Sequence, residues 1–258
     1  MVTTYTVQVF RAARADVPRP EVFFMCGWGE WETLFFYIVL IRGEGVNALI
    51  NTGPPQDLEI LNVGWRAFAG QRCQLLREPG EVPEEILRDA GLTPADITHV
   101  LLTPLQLYAT ANLALFPNAQ VCMLRRGWTE DIVARPPWLH VPREFCISDE
   151  ALKYLLFDAK DRMRLLEEGE EICPGISASW VGTHHRSSTL YLIQTAKGIV
   201  GASDCAFKYE NLEGHPLGIG ESIEEGHQAY TRIRRDVRHF LPLYDPEVLT
   251  RYPCGVVA

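Results

Sequence analysis

The turn between residues 103 and 110 is where this chain would place its chemistry, and the side chains there are poorly equipped for it. Val100, Leu101 and Leu102 read as a buried strand ending at Thr103, and a helix of small residues is expected from near Thr110 to Phe116. Positions 104 to 109 then lie at the lip of a strand-to-helix turn, where open sheets place their active sites. Pro104 and Ala109 carry no donor atom, Gln106 offers a neutral oxygen, and Tyr108 would have to lose a proton of pKa about 10 to act as an anionic ligand. Elsewhere, the adjacent His184 and His185 invite a general-base reading. Cys205 follows Asp204 at an expected strand end and reads either as a nucleophile activated by an imidazole or as a small packed thiol. Met25 to Trp31 is an aromatic, glycine-rich loop; its Trp28 and Trp31 suit either the wall of an apolar ligand site or a hydrophobic lid. His215 and His227 sit in an acidic, glycine-rich stretch and are expected to face solvent, while His99, His140 and His239 carry no spacing signal.

These groups must be positioned by short strands interleaved with helices. Tyr5 to Phe10 alternates like a half-buried strand, and Leu34 to Ile41 and Val46 to Ile50 read as two strands joined at Gly43-Glu44-Gly45. A variable region is expected from Gly53 to about Gly80. Val82 to Ala90 then forms a helix opened by Pro83 and closed by Gly91. Ala119 to Leu124 is a further strand, and Glu150 to Phe157 is helical. Residues 127 to 148, rich in proline and tryptophan, suggest an irregular cap. Beyond Met163, strands are expected at 164 to 166, 176 to 180, 190 to 194 and 198 to 202, then a helix from Gly226 to Phe240 and a short strand ending at Tyr244.

Composition bounds the function. A chain of 258 residues with 47% apolar content buries a full core, and no composition break divides it, so residues 1 to 258 read as one domain. A net charge of −9 and the lack of a Lys/Arg-rich stripe exclude a nucleic-acid surface. Arg232, Arg234, Arg235 and Arg238 read as a solvated helix face, partly balanced by Glu224, Glu225 and Asp236. Leu34 to Ile41 is too short to cross a bilayer, and no secretory signal is visible at the N-terminus. The seven cysteines show no Cys-x-x-Cys spacing, which predicts reduced thiols and a cytoplasmic protein.

The segment Thr98 to Ala119 resembles the metallo-β-lactamase superfamily, whose signature here is Thr-His-x-His-x-Asp-His followed by Ala-Gly-Asn-Leu and Phe-Pro-Asn-Ala. The first His falls on Pro104, the second on Gln106, the Asp on Tyr108 and the third His on Ala109. Asn47 to Gly53 is similar to the family strand ending in Asp-Thr-Gly, with Asn51 in place of the aspartate that orients a ligand histidine. Trp180 to Ser188 resembles the Gly-His loop and keeps His184, and Gly198 to Cys205 resembles the strand delivering the bridging aspartate and keeps Asp204. In the closing Pro-Gly-His-Asp-Pro motif, matched by Leu241 to Pro253, Tyr244 replaces the last histidine. Tyr209 to Glu213 and the terminal Asp-Pro-x-Val-x-x-Arg-Tyr-Pro most resemble the N-acyl-homoserine-lactonase-like branch, whose members hydrolyse lactones with two divalent metals and a bridging hydroxide.

The resemblance implies an α/β, αββα sandwich and a lactonase-type hydrolase scaffold whose metal site is degenerate, since two of seven ligand positions keep their ligand type. It places His185 just after the ligand loop, pointing away, and hangs Trp28 and Trp31 over the pocket. No metal is expected at full occupancy; at most one divalent ion (zinc, iron or manganese) would bind weakly at His184 and Asp204, with Gln106 and Tyr244 completing a poor sphere. Three functions stay open. One is a hydrolase of lactones or esters, using that single metal or metal-free acid–base chemistry by Tyr108, Tyr244, His184 and Asp204. Another is a pseudoenzyme holding a small apolar or lactone-like molecule. The third is a scaffold that assembles with itself, as a homodimer like the paired subunits of the related branch, or with an active relative. No nucleic-acid or membrane partner is implied.

Overall fold

The computed structural model describes residues 4–134 and 145–258. β1 (Thr6–Pro18) and β2 (Trp31–Gly43) form a long antiparallel pair whose register shifts between Arg11 and Ala13. Leu34 to Ile41 is almost continuously buried because both faces of β2 are covered: Leu34, Phe36, Val39 and Ile41 enter one core and Ile38 and Leu40 another. β3 (Val46–Ile50) returns through Glu44 and Gly45, both at positive φ (51° and 76°), as a tight two-residue hairpin requires. β4 (Leu75–Leu76) flanks β1, while β5 (His99–Leu101), β6 (Gln120–Leu124) and β7 (Met163–Leu166) add parallel strands to β3. The first sheet therefore runs β4-β1-β2-β3-β5-β6-β7.

The second sheet has the order β12-β11-β10-β9-β8, from β8 (Glu171–Cys173), β9 (Ile176–Trp180), β10 (Thr189–Thr195), β11 (Gly198–Ser203) and β12 (His239–Pro242). Val7, Val9, Val39, Leu190, Ile193 and Val200 belong to one apolar core joining the two sheets. On the far side of the first sheet, Leu40, Leu49, Val100 and Val121 share a second core with Ile86 and Leu87 of the helix Pro83–Asp89 and with Ala151 and Leu155. The helix Ile223–Asp236 covers the second sheet with Ala229, Tyr230 and Ile233, and its N-terminus is capped by the Ser222 hydroxyl accepting from the Glu225 N–H. The layers follow αββα order.

Four expectations need correction. The region after Gly53 contains a helix, Glu59–Ala69, anchored by buried Leu61 and Asn62; the Asn62 amide pairs with both the N–H and the C=O of Leu75. Helix begins earlier than Thr110 in the 103–110 turn, at Leu107–Thr110, followed by a 3-10 turn at Leu113–Leu115. The long C-terminal helix starts at Ile223 and ends at Asp236, because His239 is already paired in β12. The cap expected over 127–148 opens with helical turn, as a π-helical stretch over Trp128–Val133, and its 135–144 portion lies outside the described residues. Among the described residues no helix is long and apolar enough to cross a membrane. No disulfide joins Cys26, Cys73, Cys122, Cys173, Cys205 or Cys254.

Candidate functional site

Between the ends of β3, β5, β10 and β11 lies a buried polar network. Asn51 sits just past β3 at φ 63°, a conformation asparagine tolerates better than most residues. Its side chain clamps one residue: Nδ2 donates to the Thr103 carbonyl (2.6 Å) and Oδ1 accepts from the Thr103 N–H (2.9 Å). An aspartate could not make the first of these bonds, so the amide is chemically matched to the carbonyl it faces. The Thr103 hydroxyl in turn donates to Oδ1 of Asp204, while Oδ2 accepts from the Ser188 hydroxyl (2.5 Å) and from Nδ1 of His184 (3.1 Å). Asn112 reaches the carbonyls of Thr52 and Pro54 (2.8 and 2.9 Å), fixing the loop after Asn51.

Asp204 is wholly buried. Burial works against its charge, but the hydrogen bonds from His184, Ser188 and Thr103 outweigh it and hold the carboxyl below the usual carboxylate range. Burial, and then the neighbouring His185, lower the His184 pKa to about 4 despite the Asp204 carboxylate. Near neutral pH the pair is therefore a neutral imidazole donating through Nδ1 to a carboxylate. Nε2 is left as an acceptor with no hydrogen-bond partner among the described residues.

Above this floor opens a cavity of about 330 Å³, walled by Phe36, Trp65, Tyr108, Phe207 and Tyr244 and edged by Glu21, Gln106, His184, His185 and Glu221. The rings support one another, edge-on for Phe36 to Tyr108 at 5.4 Å, Trp65 to Tyr108 at 6.1 Å and Phe207 to Tyr244 at 4.7 Å, and tilted for Phe36 to Tyr244 at 5.2 Å between centroids. The Tyr244 hydroxyl donates to that of Tyr108 (3.4 Å). Burial drives both phenols well above their ordinary pKa, with the Asp204 charge adding to it, so both remain protonated.

The structure thus brings Gln106, Tyr108, His184 and Tyr244 to one cavity and keeps Asp204 behind His184. Pro104 and Ala109 are buried but do not line the space; the Ala109 carbonyl accepts from the Thr52 N–H (2.8 Å). His185 lines the cavity instead of turning away, stacked on His184 at 3.9 Å with Nδ1 3.8 Å from Glu221. Trp28 and Trp31 line an adjoining groove, Trp28 largely exposed, and among the described residues the tryptophan of the cavity itself is Trp65. Cys205 is packed away, and burial pushes its thiol up to about 12. His215 and His227 are exposed.

Two sheets in this order, with the 103–110 turn, the 182–188 loop and the ends of β11 and β12 converging on one cavity, match solved structures along the whole chain. An N-acyl homoserine lactone hydrolase, solved with N-hexanoyl-L-homoserine at its catalytic metal centre, superposes with a TM-score of 0.77 over 100% of both chains at 17% identity. A quorum-quenching N-acyl homoserine lactone lactonase gives 0.76 over 100% of this chain and 99% of its own, at 16% identity. The chain has the metallo-β-lactamase fold. A dizinc quorum-quenching lactonase in complex with a homoserine product is more distant, with a TM-score of 0.63 at 12% identity over 99% of this chain and 90% of its own. No family model matches the sequence, and no curated protein does.

Two divalent ions, which this fold family implies, do not fit the donor set of the described residues. Both Asp204 oxygens already accept hydrogen bonds, the two phenols are held protonated, and Pro104 and Ala109 have nothing to offer. The polar side chains lining the cavity are the imidazoles of His184 and His185, the Gln106 carboxamide, the carboxylates of Glu21 and Glu221 and two protonated phenols, and among the described residues no group of three or more His, Cys, Asp or Glu side chains is placed to hold an ion. Sequence reasoning missed Phe36, Trp65, Phe207, Glu21 and Glu221. Trp65 had a signal: it follows Leu61 by four residues and Asn62 by three in a segment that ends at Gly70, as an amphipathic helix does.

Proposed function

We propose that this chain is a divergent metallo-β-lactamase-fold protein of lactonase type that has lost its dinuclear centre and uses the inherited cavity to bind a small, largely apolar molecule. The observation that carries the reading is the Tyr108–Tyr244 contact, which sets two neutral phenols and their aromatic neighbours at positions the resemblance assigns to metal ligands. Losing two dications removes the stabilisation of crowded polar ligands; rings in their place reduce the number of polar groups that need partners. A cavity of about 330 Å³ with few polar groups is of ligand-binding size. The test is titration of the purified protein with neutral probes such as N-decanoyl homoserine lactone and decyl acetate, followed by isothermal calorimetry. Saturable binding without turnover is expected. Absence of binding by every probe removes the reading.

A second reading has its own observation. His184 lines the cavity and donates Nδ1–H to Asp204, which leaves Nε2 as the free acceptor, the arrangement of a carboxylate-oriented general base that deprotonates water. Its depressed basicity makes slow turnover of reactive esters the expected activity. Hydrolysis in an ester and lactone panel that His184→Ala abolishes supports this reading; equal rates in both proteins eliminate it.

A further inference from the structure

We propose that the occupant of this cavity is an apolar cation, an amine or quaternary ammonium compound with an aromatic or alkyl body, and that carboxylates are excluded. This deepens the ligand-binding reading and rests on it.

Three observations converge. First, among the described residues no Lys or Arg lines the cavity or the groove beside it, whereas Glu21 and Glu221 line the cavity and Glu21 and Glu30 the groove. An acyl-homoserine product or a fatty acid would bring its carboxylate among uncompensated carboxylates, an arrangement that costs more than it returns. Second, these two cavity carboxylates are under-neutralised. The Glu21 side chain has no hydrogen-bond or ion-pair partner among the described residues, and burial alone raises its pKa to about 7. Glu221 lies 3.8 Å from His185 and 3.9 Å from Arg186, but the Arg186 guanidinium is committed to Glu130 (2.8 Å) and Glu225 (2.7 Å). Third, the interior is walled by ring systems and floored by the unpartnered Nε2 of His184, itself 6% exposed. Aromatic faces attract cations, most strongly where water is excluded. Glu21, Phe68 and Ile219 belong to both the cavity and the groove carrying Trp28 and Trp31, so a longer body has a continuous apolar path past the carboxylate.

The experiment compares two probes of one shape and an anion with the same benzyl body on the full chain at pH 8, where Glu21 is ionised. They are benzyltrimethylammonium, neopentylbenzene with carbon in place of the charged nitrogen, and phenylacetate. Calorimetry is expected to show the cation binding at least about tenfold more tightly than the neutral probe, and phenylacetate not binding. Glu21→Gln combined with Glu221→Gln is expected to weaken the cation about fivefold or more while changing the neutral probe less than about twofold. The comparison of probes on the unaltered protein stands even where the variant folds poorly, which circular dichroism reports. Equal affinity for cation and neutral probe, or tighter binding of phenylacetate, overturns the cation assignment and leaves the ligand-binding reading in place. No binding of any probe overturns both.

Discussion

Replacing Asn51 with aspartate restores the residue that the resemblance expects and should nevertheless damage the protein. Asn51 makes two hydrogen bonds to Thr103 at a site 4% exposed: an acceptor from the N–H at 2.9 Å and a donor to the C=O at 2.6 Å. Aspartate keeps the acceptor and loses the donor, setting a carboxylate oxygen against the carbonyl. One lost hydrogen bond costs about 1 kcal/mol, and a buried acceptor left facing another acceptor costs about 1–3 kcal/mol more, so Asn51→Asp should destabilise by roughly 2–4 kcal/mol. Urea unfolding at pH 7.5, followed by tryptophan fluorescence, measures this as a shift of midpoint at constant slope. The deficit should also shrink in acid. Burial and the facing carbonyl raise the folded-state pKa of the new carboxyl above its unfolded value, so its protonated form, which donates as the amide did, is favoured on folding at low pH, and this stabilisation is lost as pH rises. A variant within about 0.5 kcal/mol of the parent at pH 7.5 would refute the claim that this network is wired to stand without metal.

Three further outcomes follow from the same geometry. His184 titrates near 6.5 when unfolded and near 4 in the folded chain, so the unfolded state binds more protons between those values; stability should fall by on the order of 3 kcal/mol as pH drops from 6.5 to 4, reinforced by Asp204, and His184→Gln should flatten that slope in urea titrations. Trp65→Ala removes ring contacts to Phe36 and Tyr108 at a half-buried site, so ligand affinity should drop about tenfold by calorimetry while stability falls by about 1–3 kcal/mol. The combined variant Pro104→His, Gln106→His, Tyr108→Asp, Ala109→His should bind more zinc by elemental analysis yet unfold at lower urea than the parent; normal stability with no added metal would show that the residues have been aligned wrongly to the family pattern.

The strands were readable because their faces are: Val46 to Ile50 and Ile176 to Trp180 form strands with the expected bounds, and the unbroken apolar run of β2 reflects burial on both sides. Missed elements are those whose apolar residues serve the cavity instead of the core. The helix Glu59–Ala69 leaves Ile60, Val63 and Phe68 exposed and buries only Leu61 and Asn62, so its periodicity is blurred. Single positions carried the site further than patterns did. Pro104 and Ala109 could be read as positions without a donor atom, but the role of Asn51 could not be read, because it depends on which carbonyl stands opposite. Glu21 and Glu221 gave no signal, since a desolvated carboxylate differs from a surface one only in its three-dimensional surroundings.

The central claim is that this cavity no longer grips two cations, and metal stoichiometry tests it most directly. Protein expressed in zinc- and manganese-supplemented medium, passed through gel filtration without chelator and analysed by plasma mass spectrometry, should carry less than about a tenth of an equivalent of any divalent metal, as expected of a site short of three ligands. Two tightly retained equivalents per chain would contradict it.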